Sequence, residues 1–150
     1  MTVGAVLSQK GCSVISVLPD SSVAAAAEII TRRRIGAVVV CDPAGRLLGI
    51  LSERDVVRGL TLHGATLPDL PVSALTTRDI QLVTTGTPAH EAIEVMEAAY
   101  FRHLPVVRDG VLCGIVSIRD LVRYLIKIQA GDAEPLQSYG AGRKQAGGRI

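Results

Sequence analysis

Two short stretches of the chain set a hydroxyl, a guanidinium and a carboxylate at the same spacing. They are Gly49-Ile50-Leu51-Ser52-Glu53-Arg54-Asp55 and Gly114-Ile115-Val116-Ser117-Ile118-Arg119-Asp120. Each ends an apolar run and opens a helical pattern. Ser52 and Ser117 therefore stand where an N-cap belongs, with an acid three residues later as in a capping box. The same geometry suits an anion, because a helix N-terminus offers free N–H groups and the serine and arginine add donors. A carboxylate beside it accepts hydrogen bonds from vicinal ribose hydroxyls, as acidic residues do in dinucleotide sites. Helix capping and ribose-phosphate binding are the two readings of this motif.

Other chemistry finds little support. His63, His90 and His103 are far apart, and Cys12, Cys41 and Cys113 form no C-x-x-C pair, so neither a metal centre nor a disulfide is expected. No G-x-S-x-G elbow surrounds either serine. Asp55 and Asp120 fall in different parts of the chain and do not suggest a paired acid and base. No catalytic residue is assigned, and no required cofactor is expected.

Composition narrows the class. Of 150 residues 48% are apolar but only 3% aromatic, with Phe101 the single Phe and no Trp. The core must be built from Val, Ile, Leu and Ala. Sixteen Lys and Arg against fourteen Asp and Glu leave a charge of +2, which argues against nucleic acid and anionic membranes as partners. The opening MTVGAVLSQKGC lacks the signal-peptide pattern. No run approaches the ~20 apolar residues of a membrane span. A cytoplasmic protein is expected.

The elements that must position the two motifs come as a duplication. Residues 45–60 (GRLLGILSERDVVRGL) and 110–125 (GVLCGIVSIRDLVRYL) agree at ten of sixteen positions. Average composition gives about one match by chance. Upstream the offset becomes 66, because the first copy has one more residue in its turn. Each copy reads as a short strand (14–18; 80–84), a helix capped by Ser21 or Thr87, two strands (37–41 and 47–51; 103–107 and 111–116) and a closing helix (53–62; 118–129). The fold class is α/β (α+β), two β-α-β-β-α units related by a pseudo-twofold axis. Units of this size gain most by packing their apolar sheet faces on each other. The boundaries are 3–62 for the first unit, 63–71 for a linker, 72–130 for the second and 131–150 for a flexible tail. Residues 72–77 echo 3–8 as a lead-in turn.

The repeat order, the Ile35-Gly36-Ala37-Val38-Val39-Val40 and Phe101-Arg102-His103-Leu104-Pro105-Val106-Val107 segments, and the doubled G-I-x-S-x-R-D ends resemble a tandem pair of CBS (cystathionine β-synthase) domains. The resemblance implies a stand-alone regulatory module with two clefts for an adenosine-containing ligand: AMP, ADP, ATP, NAD(H) or S-adenosylmethionine. It also implies a homodimer formed through helices of both repeats, and an unknown regulated protein. Carried over, the first cleft takes Ser16, Val17, Ile35, Gly36, Ala37, Ser52, Arg54 and Asp55. The second takes Thr84, Thr85, Arg102, His103, Leu104, Pro105, Ser117, Arg119 and Asp120. Arg102 and His103 have only Gly36 and Ala37 as counterparts, so the second cleft is expected to favour phosphorylated ligands. The alternative is a structural or oligomerisation module with vestigial clefts.

Overall fold

The computed structural model describes residues 1–131, so the expected tail lies outside the described residues except for Gly131. Helix α1 (Val3–Lys10) precedes β1 (Ser16–Val17), α2 (Val23–Arg33), β2 (Ala37–Cys41), β3 (Leu47–Ser52) and α3 (Glu53–His63). Two 3-10 turns, Gly64–Asp69 and Val72–Ala74, lead to the second copy. It comprises β4 (Val83–Thr84), α4 (Ala89–Ala98), β5 (His103–Arg108), β6 (Val111–Ser117) and α5 (Ile118–Gln129).

The duplication extends to backbone detail. Each copy forms a three-stranded sheet, β1-β2-β3 or β4-β5-β6, whose first pair is parallel and second antiparallel. A bulge falls between Val40 and Cys41 in one sheet and between Val106 and Val107 in the other, at equivalent places. Asp109 and Gly110 both take positive φ (51° and 77°), as a tight Asp-Gly hairpin turn requires. The caps lie one residue beyond those expected. Ser22, not Ser21, accepts the Ala25 N–H at 3.1 Å, and Pro88, not Thr87, takes the N-cap position of α4. Thr87 instead accepts the Thr84 N–H through its hydroxyl at 3.0 Å. The Ser21 and Thr87 carbonyls accept the Val72 and Val3 N–H groups, so the first helical bonds, from Ala26 and Ala92, go to the Ser22 and Pro88 carbonyls instead.

Every residue of β2 is buried because both faces of its sheet are covered. Val38 and Val40 pack with Ala26, Ile30 and Leu51 beneath the helices. Ala37, Val39, Cys41 and Ile50 face the other copy, meeting Ile80, Leu112 and Ile115. The two sheets thus pack on each other with the helices outside, and the strand carrying His103 begins at that seam.

The lead-in segments hold the main departure from the expected turns. The first is a helix, and each packs on the other copy's core. Val3, Val6 and Leu7 of α1 join Val83, Ala92, Leu104, Val116 and Leu121. Val72 joins Val17, Ala26 and Leu51 in the first core. Backbone bonds fix the exchange: the Val3 and Gly4 N–H groups donate to Thr87 and Thr85, and the Val72 N–H donates to Ser21. This crossing accounts for the repeated glycine of the motif. A Cβ on Gly49 would lie 2.4 Å from the Thr77 carbonyl oxygen, and one on Gly114 would lie 2.7 Å from Leu7 Cδ1. A prediction follows for Leu7, which is 2% exposed. Leu7→Ala should cost about 2–5 kcal/mol in urea denaturation. Hydrogen exchange should rise first in β5, β6 and α5, remote from residue 7 in sequence. Unchanged stability would mean that α1 does not complete the second core.

Candidate functional site

Both helix-opening motifs form complete capping boxes. Asp55 Oδ2 accepts the Ser52 amide at 2.8 Å and the Ser52 hydroxyl at 2.6 Å, and Asp120 Oδ2 accepts the Ser117 amide at 2.8 Å. Capping is therefore realised at both, and the surroundings decide what else each can do.

At the first motif a cleft of about 190 Å³ opens beside α3. Gly36, Ile50, Ser52, Glu53, Arg54, Asp55 and Arg58 come from the first copy. Thr77, Ile80, Ala99, Tyr100, Phe101, Arg102 and His103 come from the second. The cleft belongs to the seam, with a carboxylate from one copy facing cationic residues from both. Among the described residues Asp55 is the only charged one that is buried, and its Oδ1 is loosely engaged. The Thr77 hydroxyl approaches at 3.4 Å and an Arg58 guanidinium nitrogen at 3.6 Å. Arg54 Nη1 donates to the Tyr100 carbonyl at 3.1 Å, tying the start of α3 to the loop before β5. Tyr100 is held at φ 55°, and its repeat counterpart Arg34 at φ 53°, so both loops turn through the left-handed region. The His103 ring lies over Gly36, where a Cβ would come within 2.8 Å of it. Burial first, and then the positive charge of Lys10, pushes the His103 imidazole down to about 4, against the opposing pull of Asp120. His103 is thus neutral at pH 7, with one donor and one acceptor nitrogen.

The surroundings of Asp120 differ. Lys10, the last residue of α1, donates through Nζ to Asp120 Oδ2 at 2.6 Å and to the Ile115 carbonyl at 2.7 Å. Burial pushes the Asp120 carboxyl up, but Lys10 and the Ser117 amide and hydroxyl outweigh it and hold the group below the usual carboxylate range.

The structure regroups the expected site residues. Gly36, Ser52, Arg54 and Asp55, expected at the first cleft, line one cleft together with Arg102 and His103, which were expected at the second. The face-to-face sheets bring the start of β5 against the start of α3. His103 also pairs in register with Ser117, so it borders both motifs. Arg102, expected to favour phosphate at the second cleft, therefore lines the first beside the neutral His103, and Arg119 stays exposed beside Asp120. Ser16 and Val17 border a separate cavity of about 350 Å³ with Val39, Cys41 and Leu112. Ile35 packs on the first core, Ala37 is buried at the seam, and Leu104 and Pro105 are fully buried. Thr84 bonds to Thr87, and the Thr85 carbonyl accepts from Gly4. Sequence reasoning missed Arg58, Thr77, Tyr100 and Lys10. Arg58 had a signal, since Arg123 repeats it at offset 65, and Thr77 is the counterpart of Ser8 in the lead-in echo. Among the described residues no three of His, Cys, Asp or Glu gather as a metal site. No described helix is long and apolar enough to cross a membrane.

A protein-family model for the CBS domain matches the chain twice, at residues 3–61 and 72–127. An uncharacterized 17.7 kDa protein of Acidianus ambivalens is 38% identical over 116 residues, which are 77% of this chain and 69% of that protein. CBS domain-containing relatives in Arabidopsis thaliana are longer, and the chain spans 60% of one and 20% of another. The crystal structure of a CBS-domain containing protein of Agrobacterium tumefaciens matches with TM-score 0.80 at 38% identity, covering 81% of this chain and 91% of that one. A CBS domain pair solved with 5′-methylthioadenosine and S-adenosyl-L-methionine shares the fold. Its TM-score is 0.75 at 22% identity, over 85% of this chain and 98% of that one.

Proposed function

The chain belongs to the CBS-domain family, and from that premise we propose that it is a non-catalytic regulatory protein whose first cleft binds an adenosine-containing nucleotide. One observation carries the reading. A buried carboxylate with a loosely held oxygen, Asp55 Oδ1, lines the same cleft as Arg54, Arg58 and Arg102. The carboxylate suits vicinal ribose hydroxyls, and the guanidinium groups suit phosphate. Ile50 and Ile80 supply the apolar wall for a base. The adenosyl ligands of the more distant CBS pair agree with this chemistry. AMP, ADP and ATP are the first choices, with NAD(H) and S-adenosylmethionine next. Occupancy would act by changing how the two copies, or two protomers, sit against each other, and so would reach a regulated protein.

Thermal shift and calorimetry with AMP, ATP, NADH and S-adenosylmethionine test the proposal. At 100 times the dissociation constant a bound ligand adds about 2.7 kcal/mol of stability. A flat response to all four would contradict it. That result would favour the alternative, a structural module in which Asp55 and Asp120 serve only as helix caps. Both capping boxes are complete without a ligand, which is the observation on that side.

The dimer proposal rests on the closing helices. Val57 on α3 and Val122 on α5 are repeat equivalents, and both are exposed, at 64% and 42%. Leu60 and Ile126 extend the apolar surface on the same helices. The double variant Val57→Glu, Val122→Glu is expected to halve the mass measured by light scattering while leaving the circular dichroism unchanged. A wild-type monomer, or a dimer in the variant, would contradict this interface.

A further inference from the structure

The two motifs are nearly identical in sequence, yet the lead-in segments crossing them are not, and this makes the surroundings of the two motif carboxylates unequal. In the first, Ile50 and Thr77 exchange backbone hydrogen bonds at 3.0 and 2.9 Å, and Thr77 offers Asp55 only a hydroxyl. In the second, Ile115 replaces Ile50, and its carbonyl accepts from Lys10 Nζ instead. A side-chain cation thus takes the place of a backbone amide, and its charge lands on the carboxylate of the motif. The contact joins residues 110 positions apart and is partly sheltered, with Lys10 32% and Asp120 21% exposed.

We propose that Lys10 is an internal mask of the second cleft. It satisfies Asp120 in the place where a ribose would bind, so the chain takes its first nucleotide at Asp55 and the second cleft stays weak until Lys10 withdraws. The proposal rests on the nucleotide-binding reading above and adds an order of filling to it. The mask lies on α1, the helix that crosses from one copy to the other. Filling of the second cleft therefore competes directly with a contact of the exchanged segment. Arg119 and Arg123 stand exposed on α5 to receive phosphate once the carboxylate is released.

Calorimetric titration of the full chain with AMP tests this. The wild type should show one tight site per chain and a second at least tenfold weaker. Lys10→Met should strengthen the second site about tenfold and leave the first unchanged. Lys10→Arg, which keeps the charge, should resemble the wild type. Lys10 ends a helix at the surface, so folding should survive both changes, and circular dichroism would verify this. A second site unchanged or weakened in Lys10→Met would overturn the mask while leaving the first cleft's role intact. Loss of AMP binding at both clefts in every form would overturn the nucleotide reading itself, and the mask with it.

Discussion

Asp55→Asn should weaken AMP binding at the first cleft roughly ten- to a hundredfold, the worth of about one charge-assisted hydrogen bond. The asparagine carbonyl can still accept the Ser52 amide, so the cap of α3 persists and the melting temperature should change little. What disappears is the negative charge and the second acceptor oxygen, the one approached only by Thr77 and Arg58. Calorimetry on the variant separates the two roles of the carboxylate. Lower affinity with unchanged stability assigns it to the ligand. Unchanged affinity with lower stability would make it a cap and nothing more.

The second large effect is on stability against pH, through His103. Its ring is pushed down to about 4 by burial and by Lys10, with Arg102 and Arg119 adding to the effect and Asp120 opposing it. In the unfolded chain the same imidazole titrates near 6.5. Between those values the unfolded chain binds a proton that the folded chain refuses. This contribution is therefore fully present above pH 6.5 and is lost as pH falls towards 4. At full size it reaches about 3 kcal/mol. Urea denaturation of wild type and His103→Gln at pH 7 and pH 4.5 measures it. The wild type should lose most of this stability across the interval, and the variant should not. The carboxylates lowered in the folded chain, Asp42 and Asp120, contribute chiefly below that window and do not confuse the comparison. Parallel losses in the two proteins would show that His103 is not held neutral at the seam.

The strands and closing helices were legible because the repeat doubled every signal. The predicted helix at 118–129 is α5 as observed, and the predicted strand at 37–41 is β2. The capping boxes at Ser52 and Ser117 were legible for the same reason, since capping depends on neighbours in sequence. What escaped depends on tertiary crossing. Residues 3–8 carry no helix signal stronger than a turn, and α1 is stabilised by burying Val3, Val6 and Leu7 on the far copy. The grouping of the cleft lining was not legible for a related reason. Arg102 and His103 were placed with the motif of their own copy, whereas the face-to-face sheets deliver them to Ser52 and Asp55. The repeated Gly49 and Gly114 could be seen, but not the exchanged segments that require them. No pattern marks Lys10, because a lysine at the end of a short helix is ordinarily solvated.

The most direct test is a crystal structure of the full chain grown with AMP. The account predicts density for the nucleotide at the seam, with ribose hydroxyls on the Asp55 carboxylate and phosphate among Arg54, Arg58 and Arg102. Density elsewhere, with this cleft empty at saturating AMP, would contradict it.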